Sequence, residues 1–161
     1  MMIKAEQALV MALGLLLGAC AGSQVLGDGE GQAAVLSTSG ADWPLDLGQA
    51  LEESGRVALI WYAPWCVPCE AEAPELANAA IAMEGRIRFV GIVAGGEQDS
   101  SAAEIRAFRQ RHALTYPTLR DEQGAMTRAF GITGTPTIVV LEKGPKELYR
   151  GNTAPDWDSL K

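Results

Sequence analysis

Two cysteines separated by two residues lie at the junction of an apolar run and a helix-like run, and this junction constrains the fold most. The apolar run covers residues 57–63, and the Ala- and Glu-rich stretch 70–83 follows the second cysteine. A cysteine on the first turn of a helix lies near unpaired backbone N–H groups and the positive end of the helix dipole, which favour a thiolate. Cys69 is one turn from Cys66, close enough to form a disulfide with it. The sequence therefore predicts a reversible dithiol/disulfide couple.

The third cysteine, Cys20, ends an apolar run that begins at Ala8. Residues 8–18 are too few to span a bilayer, which needs about 20 apolar residues, but they suit the core of a signal peptide. The ending Leu17-Gly-Ala-Cys20 resembles the lipobox of bacterial lipoproteins. We therefore expect residues 1–19 to be a lipoprotein signal peptide and Cys20 to carry the lipid. An ordinary secretory signal and an uncleaved short anchor are the alternatives.

The chain after Cys20 divides into a tether and one domain. Residues 20–41 are rich in Gly, Ser, Gln and Ala, a composition typical of a flexible tether. Residues 42–161 are long enough to form a single domain with its own core. This organisation places the domain in the cell envelope, on the periplasmic side of a membrane, where disulfides persist.

The charge balance limits the classes of partner. The chain has 20 acidic and 13 basic residues, a formal net charge of −7, and no basic cluster. Nucleic acid is therefore excluded as a partner, because phosphate binding needs clustered Lys and Arg. The acidity also gives no attraction to anionic lipid, so Cys20 would be the only membrane attachment.

The rest of the pattern alternates strands and helices, which predicts an α/β domain with a mixed sheet. Proline at position 74 predicts a kink in the long helix, and Ser101 with Glu104 predicts a capping box. The predicted strands cover residues 57–63, 88–94, 116–119, 137–141 and 147–149, and the predicted helices cover 66–83, 102–112 and 122–130, with a short helix or turn at 45–53. The last two strands should form a hairpin around Lys143-Gly-Pro145.

Two motifs together give a specific resemblance. Trp65-Cys-Val-Pro-Cys69 and Gly134-Thr-Pro-Thr137 resemble the active-site loop and the later cis-proline loop of the thioredoxin superfamily. The resemblance implies a thioredoxin fold, a central mixed sheet flanked by helices, with Pro136 in the cis form and facing the thiols.

Within that superfamily the chain is most similar to the TlpA/ResA/CcmG-like group. The similarity rests on Pro68 before the second cysteine, on the continuation Cys69-x-x-Glu72-x-Pro74, and on an additional helix and strand between Val93 and Gly131. This resemblance implies an exposed nucleophile at Cys66 and a deeper, resolving thiol at Cys69. It also implies that the partner protein lies against Trp65, Pro68, Thr135 and Pro136.

Glu72 is the candidate for tuning the deeper thiol. Thioredoxin has a buried aspartate six residues before its first active-site cysteine, and Ile60 occupies that position here. Glu72 follows Cys69 on the same helical face and matches a glutamate of the TlpA/ResA-like group. An exposed glutamate on an acidic helix is an equally good interpretation.

The resemblance implies a membrane-tethered, extracytoplasmic and monomeric thiol–disulfide oxidoreductase without a cofactor. It would reduce disulfides of exported proteins, as in cytochrome c maturation or at metal-site thiols, and would draw electrons from a membrane thiol–disulfide donor. A thiol peroxidase is the alternative, although peroxiredoxins usually carry Thr-x-x-Cys and this chain has Ala63.

A metallochaperone and a redox-inactive binding module are further alternatives. A structural disulfide without exchange activity is another. A zinc site is disfavoured because CxxC usually needs a second pair of ligands. The chain offers only Cys20, His112 and carboxylates for that purpose.

Overall fold

The computed structural model describes residues 44–144 and 146–160. The predicted signal peptide, Cys20 and the whole predicted tether lie outside the described residues, as does Pro145. Within the described part of the chain, no helix is long and apolar enough to cross a membrane.

The described chain forms five strands, four α-helices and a final 3₁₀ helix. In chain order these are α1 (Leu47–Ser54), β1 (Arg56–Trp61), α2 (Val67–Ala82), β2 (Arg88–Ala94), α3 (Ala102–Arg111), β3 (Thr118–Asp121), α4 (Ala125–Ala129), β4 (Thr137–Glu142), β5 (Lys146–Gly151) and the 3₁₀ helix Trp157–Leu160.

The strands form one mixed sheet with the order β3-β2-β1-β4-β5. Strand β1 runs parallel to β2, which runs parallel to β3, whereas β4 is antiparallel to both β1 and β5. This arrangement confirms the predicted mixed sheet and the predicted hairpin of the last two strands.

Strand β1 is central, and its side chains alternate between two apolar layers. Ala58 and Ile60 belong to the layer that contains α2 and Phe108 of α3. Residues 57, 59 and 61 belong to the opposite layer, with α1 and Met126 of α4. A strand buried on both faces is apolar throughout, which explains why residues 57–61 form an uninterrupted apolar run.

Strand β3 begins two residues later than predicted, at Thr118. Pro117 has no N–H to donate to a ladder, and only its carbonyl is used, accepting from Gly91 N at 2.8 Å. The side chain of Tyr116 is instead buried in the core. The predicted strand 116–119 was therefore wrong in its start.

Helix α4 begins at Ala125, three residues later than predicted, because Asp121 forms its start. Gly124 adopts a left-handed conformation at the N-cap. The fully buried Asp121 carboxylate accepts hydrogen bonds from Met126 N at 3.3 Å, from Thr127 N at 2.7 Å and from Thr127 Oγ1 at 2.7 Å. The indole N–H of Trp61 donates to the same Thr127 hydroxyl at 3.2 Å, which links α4 to the central strand.

Two further contacts fix the start of α3 and the final 3₁₀ helix. The predicted capping box of α3 is confirmed, since Glu104 N donates to Ser101 Oγ and Ser101 N donates to the Glu104 carboxylate. The Glu104 carboxylate also accepts from Ser101 Oγ at 2.7 Å, and this hydrogen bond, with the one from Ser101 N, lowers the pKa of Glu104. The 3₁₀ helix was not predicted, and its Trp157 packs on Phe89 with ring centroids 4.8 Å apart.

Candidate active site

The junction of β1 and α2 places both cysteines of the CxxC motif. Cys66 is the N-cap of α2, and its Sγ accepts a hydrogen bond from Cys69 N at 3.2 Å. The two residues form a disulfide, with their Cα atoms 5.2 Å apart. The predicted helix thus begins where the sequence indicated, and the cysteines lie at its positive end.

Exposure does not separate the two cysteines in this disulfide form. Cys66 is 4% exposed and Cys69 is 3% exposed, so the expectation of an exposed Cys66 was wrong for the oxidised protein. Its sequence neighbours Trp65 and Val67 are 69% and 75% exposed. Each buried sulfur thus belongs to a loop that presents large apolar side chains to solvent.

The loop before β4 lies against Cys66. The Thr135–Pro136 peptide bond is cis, as the resemblance implied. The carbonyl oxygen of Thr135 is 3.4 Å from Cys66 Sγ. A disulfide sulfur has no proton, so this is a contact in the oxidised form, and a Cys66 thiol would have that carbonyl as its acceptor. The backbone of Thr135 is therefore directly beside the reactive sulfur.

An open groove of about 400 Å³ runs along this loop. It brings together four residues predicted for the site, Pro68, Glu72, Thr135 and Pro136. Sequence reasoning missed Asn152 and Thr153, which also line it. The groove residues are Pro68, Ala71, Glu72, residues 133–137, Asn152 and Thr153. No motif marks positions 152 and 153, because they reach the groove only through the pairing of β5 with β4.

The half-buried Glu72 lies between α2 and the chain after β5. Its Oε2 accepts a hydrogen bond from Ala154 N at 2.9 Å. The carboxylate therefore holds the segment that carries Asn152 and Thr153 against the active-site helix. This contact is a structural role that the helical spacing from Cys69 did not indicate.

A small cavity lies under Cys69, and its lining contains no carboxylate among the described residues. Ile60 lines it where thioredoxin has an aspartate, together with Tyr62, Cys69, Ala73, Leu76, Phe108, Leu114, Tyr116 and Pro136. Burial raises the pKa of both tyrosines, and the hydrogen bond between Tyr62 Oη and Thr118 Oγ1, 2.9 Å long, only partly opposes this for Tyr62. Both phenols are therefore neutral at ordinary pH, and neither supplies a charge below Cys69.

The segment inserted between β2 and β3 contacts the active-site loop at two points. The indole N–H of Trp65 donates to the backbone carbonyl of Asp99 at 3.1 Å. Arg111 at the end of α3 pairs with Glu70 on the first turn of α2 at 2.6 Å. Sequence reasoning did not identify Asp99 or Arg111, because both contacts join residues more than 30 positions apart.

Residues 29–147 match the sequence profile of the AhpC/TSA family. The chain belongs to this family. Its relatives and its fold place it in the thioredoxin-like superfamily, as the two motifs implied.

Curated relatives of this AhpC/TSA-family chain include soluble secreted antigen MPT53 of Mycobacterium tuberculosis. It is 30% identical over 122 residues, which cover 75% of this chain and 65% of the relative. Thiol–disulfide oxidoreductase ResA of Geobacillus thermodenitrificans is 26% identical over 91 residues, or 56% of this chain and 50% of the relative. The chain thus spans less than two thirds of the length of each of these proteins.

Solved structures with the same fold include a secreted disulfide oxidoreductase of Mycobacterium tuberculosis. It gives a TM-score of 0.57 at 24% identity and covers 70% of this chain and 81% of that chain. StoA of Bacillus subtilis gives a TM-score of 0.57 at 18% identity, covering 67% of this chain and 81% of its own. At these identities the similarity shows the thioredoxin-like fold.

The described residues contain no cluster of three or more His, Cys, Asp or Glu side chains arranged to hold a metal ion. Chemically, the site offers two sulfurs at a helix N-terminus, a neighbouring backbone carbonyl and an open groove. These are the components of thiol–disulfide exchange.

Proposed function

We propose that the protein is a thiol–disulfide oxidoreductase that exchanges electrons between Cys66–Cys69 and a disulfide of another protein. The observation that carries the proposal is the position of the Cys66–Cys69 disulfide, which caps α2 beside the groove at Thr135 and Pro136. The relatives named as oxidoreductases support the same chemistry.

In the reducing direction, the Cys66 thiolate attacks one sulfur of the partner's disulfide. A mixed disulfide forms, and the other partner sulfur leaves as a thiolate. The Cys69 thiolate then attacks Cys66 Sγ, which releases the partner as a dithiol and leaves the Cys66–Cys69 disulfide seen in the structure. Two electrons pass to the partner, and a thiol–disulfide donor in the membrane would restore the dithiol.

The helix N-terminus favours Cys66 as the attacking thiolate. The N–H of Cys69 already points at Cys66 Sγ at 3.2 Å, so that a thiolate there would gain a hydrogen bond and the helix dipole. An extended segment of the partner would lie in the groove along Thr135 and Pro68, and the exposed Trp65 next to Cys66 would contact the partner outside that groove.

We further propose that the protein is exported and anchored by lipid on Cys20. The Leu17-Gly-Ala-Cys20 motif supports the anchor, and the secreted relative MPT53 supports export. Mass spectrometry of the mature protein should find a diacylated Cys20 as its first residue. An unmodified Cys20, or a start elsewhere, would contradict the anchor without affecting the redox proposal.

The proposed substrates are disulfides in other exported proteins, such as apocytochrome c or a copper-site thiol pair, and the protein would act as a monomer. The decisive experiment is an equilibrium titration of Cys66–Cys69 in dithiothreitol buffers, followed by reaction of the reduced protein with a disulfide-bridged peptide. A potential near that of thioredoxin, about −270 mV, would support reduction, whereas one near −120 mV, as in DsbA, would indicate oxidation.

A thiol peroxidase is the second candidate, because α3 and β3 form the central insertion that peroxiredoxins also carry. Against it, position 63 is a buried alanine without a hydroxyl group. Consumption of hydrogen peroxide by the reduced protein distinguishes the two activities. Faster reaction with peroxide than with the peptide disulfide would favour the peroxidase. Copper titration tests the metallochaperone alternative.

A further inference from the structure

The insertion loop, residues 95–101 between β2 and α3, reaches the side chain next to the reactive sulfur. Its Asp99 carbonyl accepts the indole N–H of Trp65 at 3.1 Å. Trp65 is 69% exposed, and the α3 residues Glu104, Ala107 and Arg111 line a shallow pocket beside it. The position of the indole therefore depends on the position of the loop.

Arg120 holds the insertion loop from the neighbouring strand β3. Its guanidinium donates to the carbonyls of Gly95 at 3.2 Å, Gly96 at 2.8 Å and Ser100 at 2.7 Å. It also pairs with the carboxylate of Glu97 at 3.1 Å. One side chain thus binds four of the seven loop residues, with the fork geometry that distinguishes arginine from lysine.

Hydrogen bonds within the insertion loop connect the residues that Arg120 binds to Asp99. The Asp99 carboxylate accepts from Gly96 N at 2.8 Å, and Asp99 N donates to Gly96 O at 3.1 Å. Gly95 has a φ of +90°, a conformation that favours glycine. Gly96 is therefore held on one side by Arg120 and on the other by Asp99.

We propose that Arg120 is a positioning residue for thiol exchange, which acts through the insertion loop to fix the indole of Trp65 beside the partner's disulfide. This inference rests on the proposed function, since Trp65 matters only if a partner protein docks there. Arg120 itself touches neither cysteine. The hydrogen bonds of its side chain all go to the insertion loop, so replacing that side chain is expected to free the loop and the indole while the apolar layers remain intact.

The first test compares Arg120→Gln with Arg88→Gln in the full chain. Arg88 is the matched control because it too is a strand arginine in an ion pair, with Glu53 at 2.9 Å. It lies at the start of β2, whereas the cysteines follow the end of the parallel strand β1. Each reduced protein is mixed with an excess of a peptide that contains one disulfide, and single-turnover rates are measured against peptide concentration.

We expect Arg120→Gln to raise the half-saturating peptide concentration about fivefold, a change that corresponds to the free energy of roughly one hydrogen bond. The maximal rate and the redox potential should change little. Trp65→Phe should give a similar rise. In the Trp65→Phe background, Arg120→Gln should have no additional effect, because the two residues act in one chain of contacts. Additive effects of the two substitutions would overturn the proposal.

The second test measures hydrogen exchange of the Trp65 indole N–H by NMR, with the resonance assigned by its loss in Trp65→Phe. Exchange should be about fivefold faster in Arg120→Gln than in wild type or Arg88→Gln. Equal exchange rates would overturn the positioning role. If Arg120→Gln does not fold, Arg120→Lys takes its place, and a smaller change of the same pattern is expected, since lysine keeps the charge without the fork.

The two proposals fail in different ways. No reaction of the wild-type dithiol with the peptide would overturn the proposed function. Normal reaction of the wild type, with Arg120→Gln and Arg88→Gln indistinguishable from it, would overturn the role of Arg120 alone.

Discussion

The reducing role predicts that the oxidised protein is the more stable form, and the size of the difference follows from the loop that the disulfide closes. Cys66 and Cys69 are three positions apart, so the closed loop contains four residues. Closing such a loop lowers the entropy of the unfolded chain and stabilises the folded oxidised protein by about 1.9 kcal/mol. This corresponds to a potential about 40 mV more reducing than that of the same pair in the unfolded chain.

The thiolate at the helix N-terminus opposes this effect. A thiol whose pKa is lowered by folding stabilises the reduced form above that pKa, by about 1.4 kcal/mol for each pH unit up to the unfolded value. The opposition therefore weakens as the pH falls towards the pKa of the folded thiol and is absent below that pKa. In that low-pH limit we expect the oxidised protein to melt roughly 6–10 °C above the reduced protein, for a domain of this size.

The assay is thermal unfolding followed by circular dichroism at pH 5 and pH 7, with and without tris(2-carboxyethyl)phosphine. The variant with both Cys66→Ser and Cys69→Ser is the control, and its melting temperature should not respond to the reductant. Equal melting temperatures of the two forms at both pH values would refute the loop-entropy argument, because without a pH dependence there is no thiolate stabilisation to oppose it. A higher melting temperature for the reduced form at pH 7 would show that thiolate stabilisation dominates, and would refute the reducing direction.

Four further substitutions test the site and the start of α4. Cys69→Ser should trap mixed disulfides with partner proteins and Cys66→Ser should not, as seen on non-reducing gels; equal trapping would contradict the assigned roles. Glu72→Gln should leave the fold intact and shift thiol alkylation to lower pH, because removal of a negative charge lowers the pKa of a nearby thiol; superimposed alkylation profiles would leave Glu72 with only its backbone contact. Asp121→Asn should lower the free energy of unfolding by about 2–4 kcal/mol in urea titrations, and a loss below about 1 kcal/mol would show that the three hydrogen bonds to the buried carboxylate contribute little.

The junction of β1 and α2 was predictable because its signals are local. The apolar run 57–61, the cysteine at the N-cap and the capping box of α3 each depend on residues a few positions apart. The groove residues Thr135 and Pro136 came instead from the resemblance, since no local pattern connects them to Cys66.

The missed features depend on contacts between distant segments. Asn152 and Thr153 reach the groove through the β4–β5 pairing. The Asp121 carboxylate accepts hydrogen bonds from the first turn of α4, although charge patterning would place that side chain at the surface. A buried carboxylate that accepts hydrogen bonds from a helix N-terminus can be recognised only from the folded structure, which brings the unpaired N–H groups to it.

The sheet topology explains why a residue on β3 can influence a side chain that follows β1. Because β1, β2 and β3 are parallel and β4 is antiparallel, the ends of the first three strands and the start of the fourth meet at one edge. The register shows this directly, since Trp61 pairs with Ile92 on one side and with Thr137 on the other, and Val93 pairs with Arg120. The CxxC loop, the insertion loop and the cis-proline loop all lie at this edge. Because β3 lies next to β2, a side chain on β3 such as Arg120 can bind the insertion loop, and the insertion loop contacts Trp65. An insertion at this place in the chain can therefore alter the position of Trp65 without changing either cysteine.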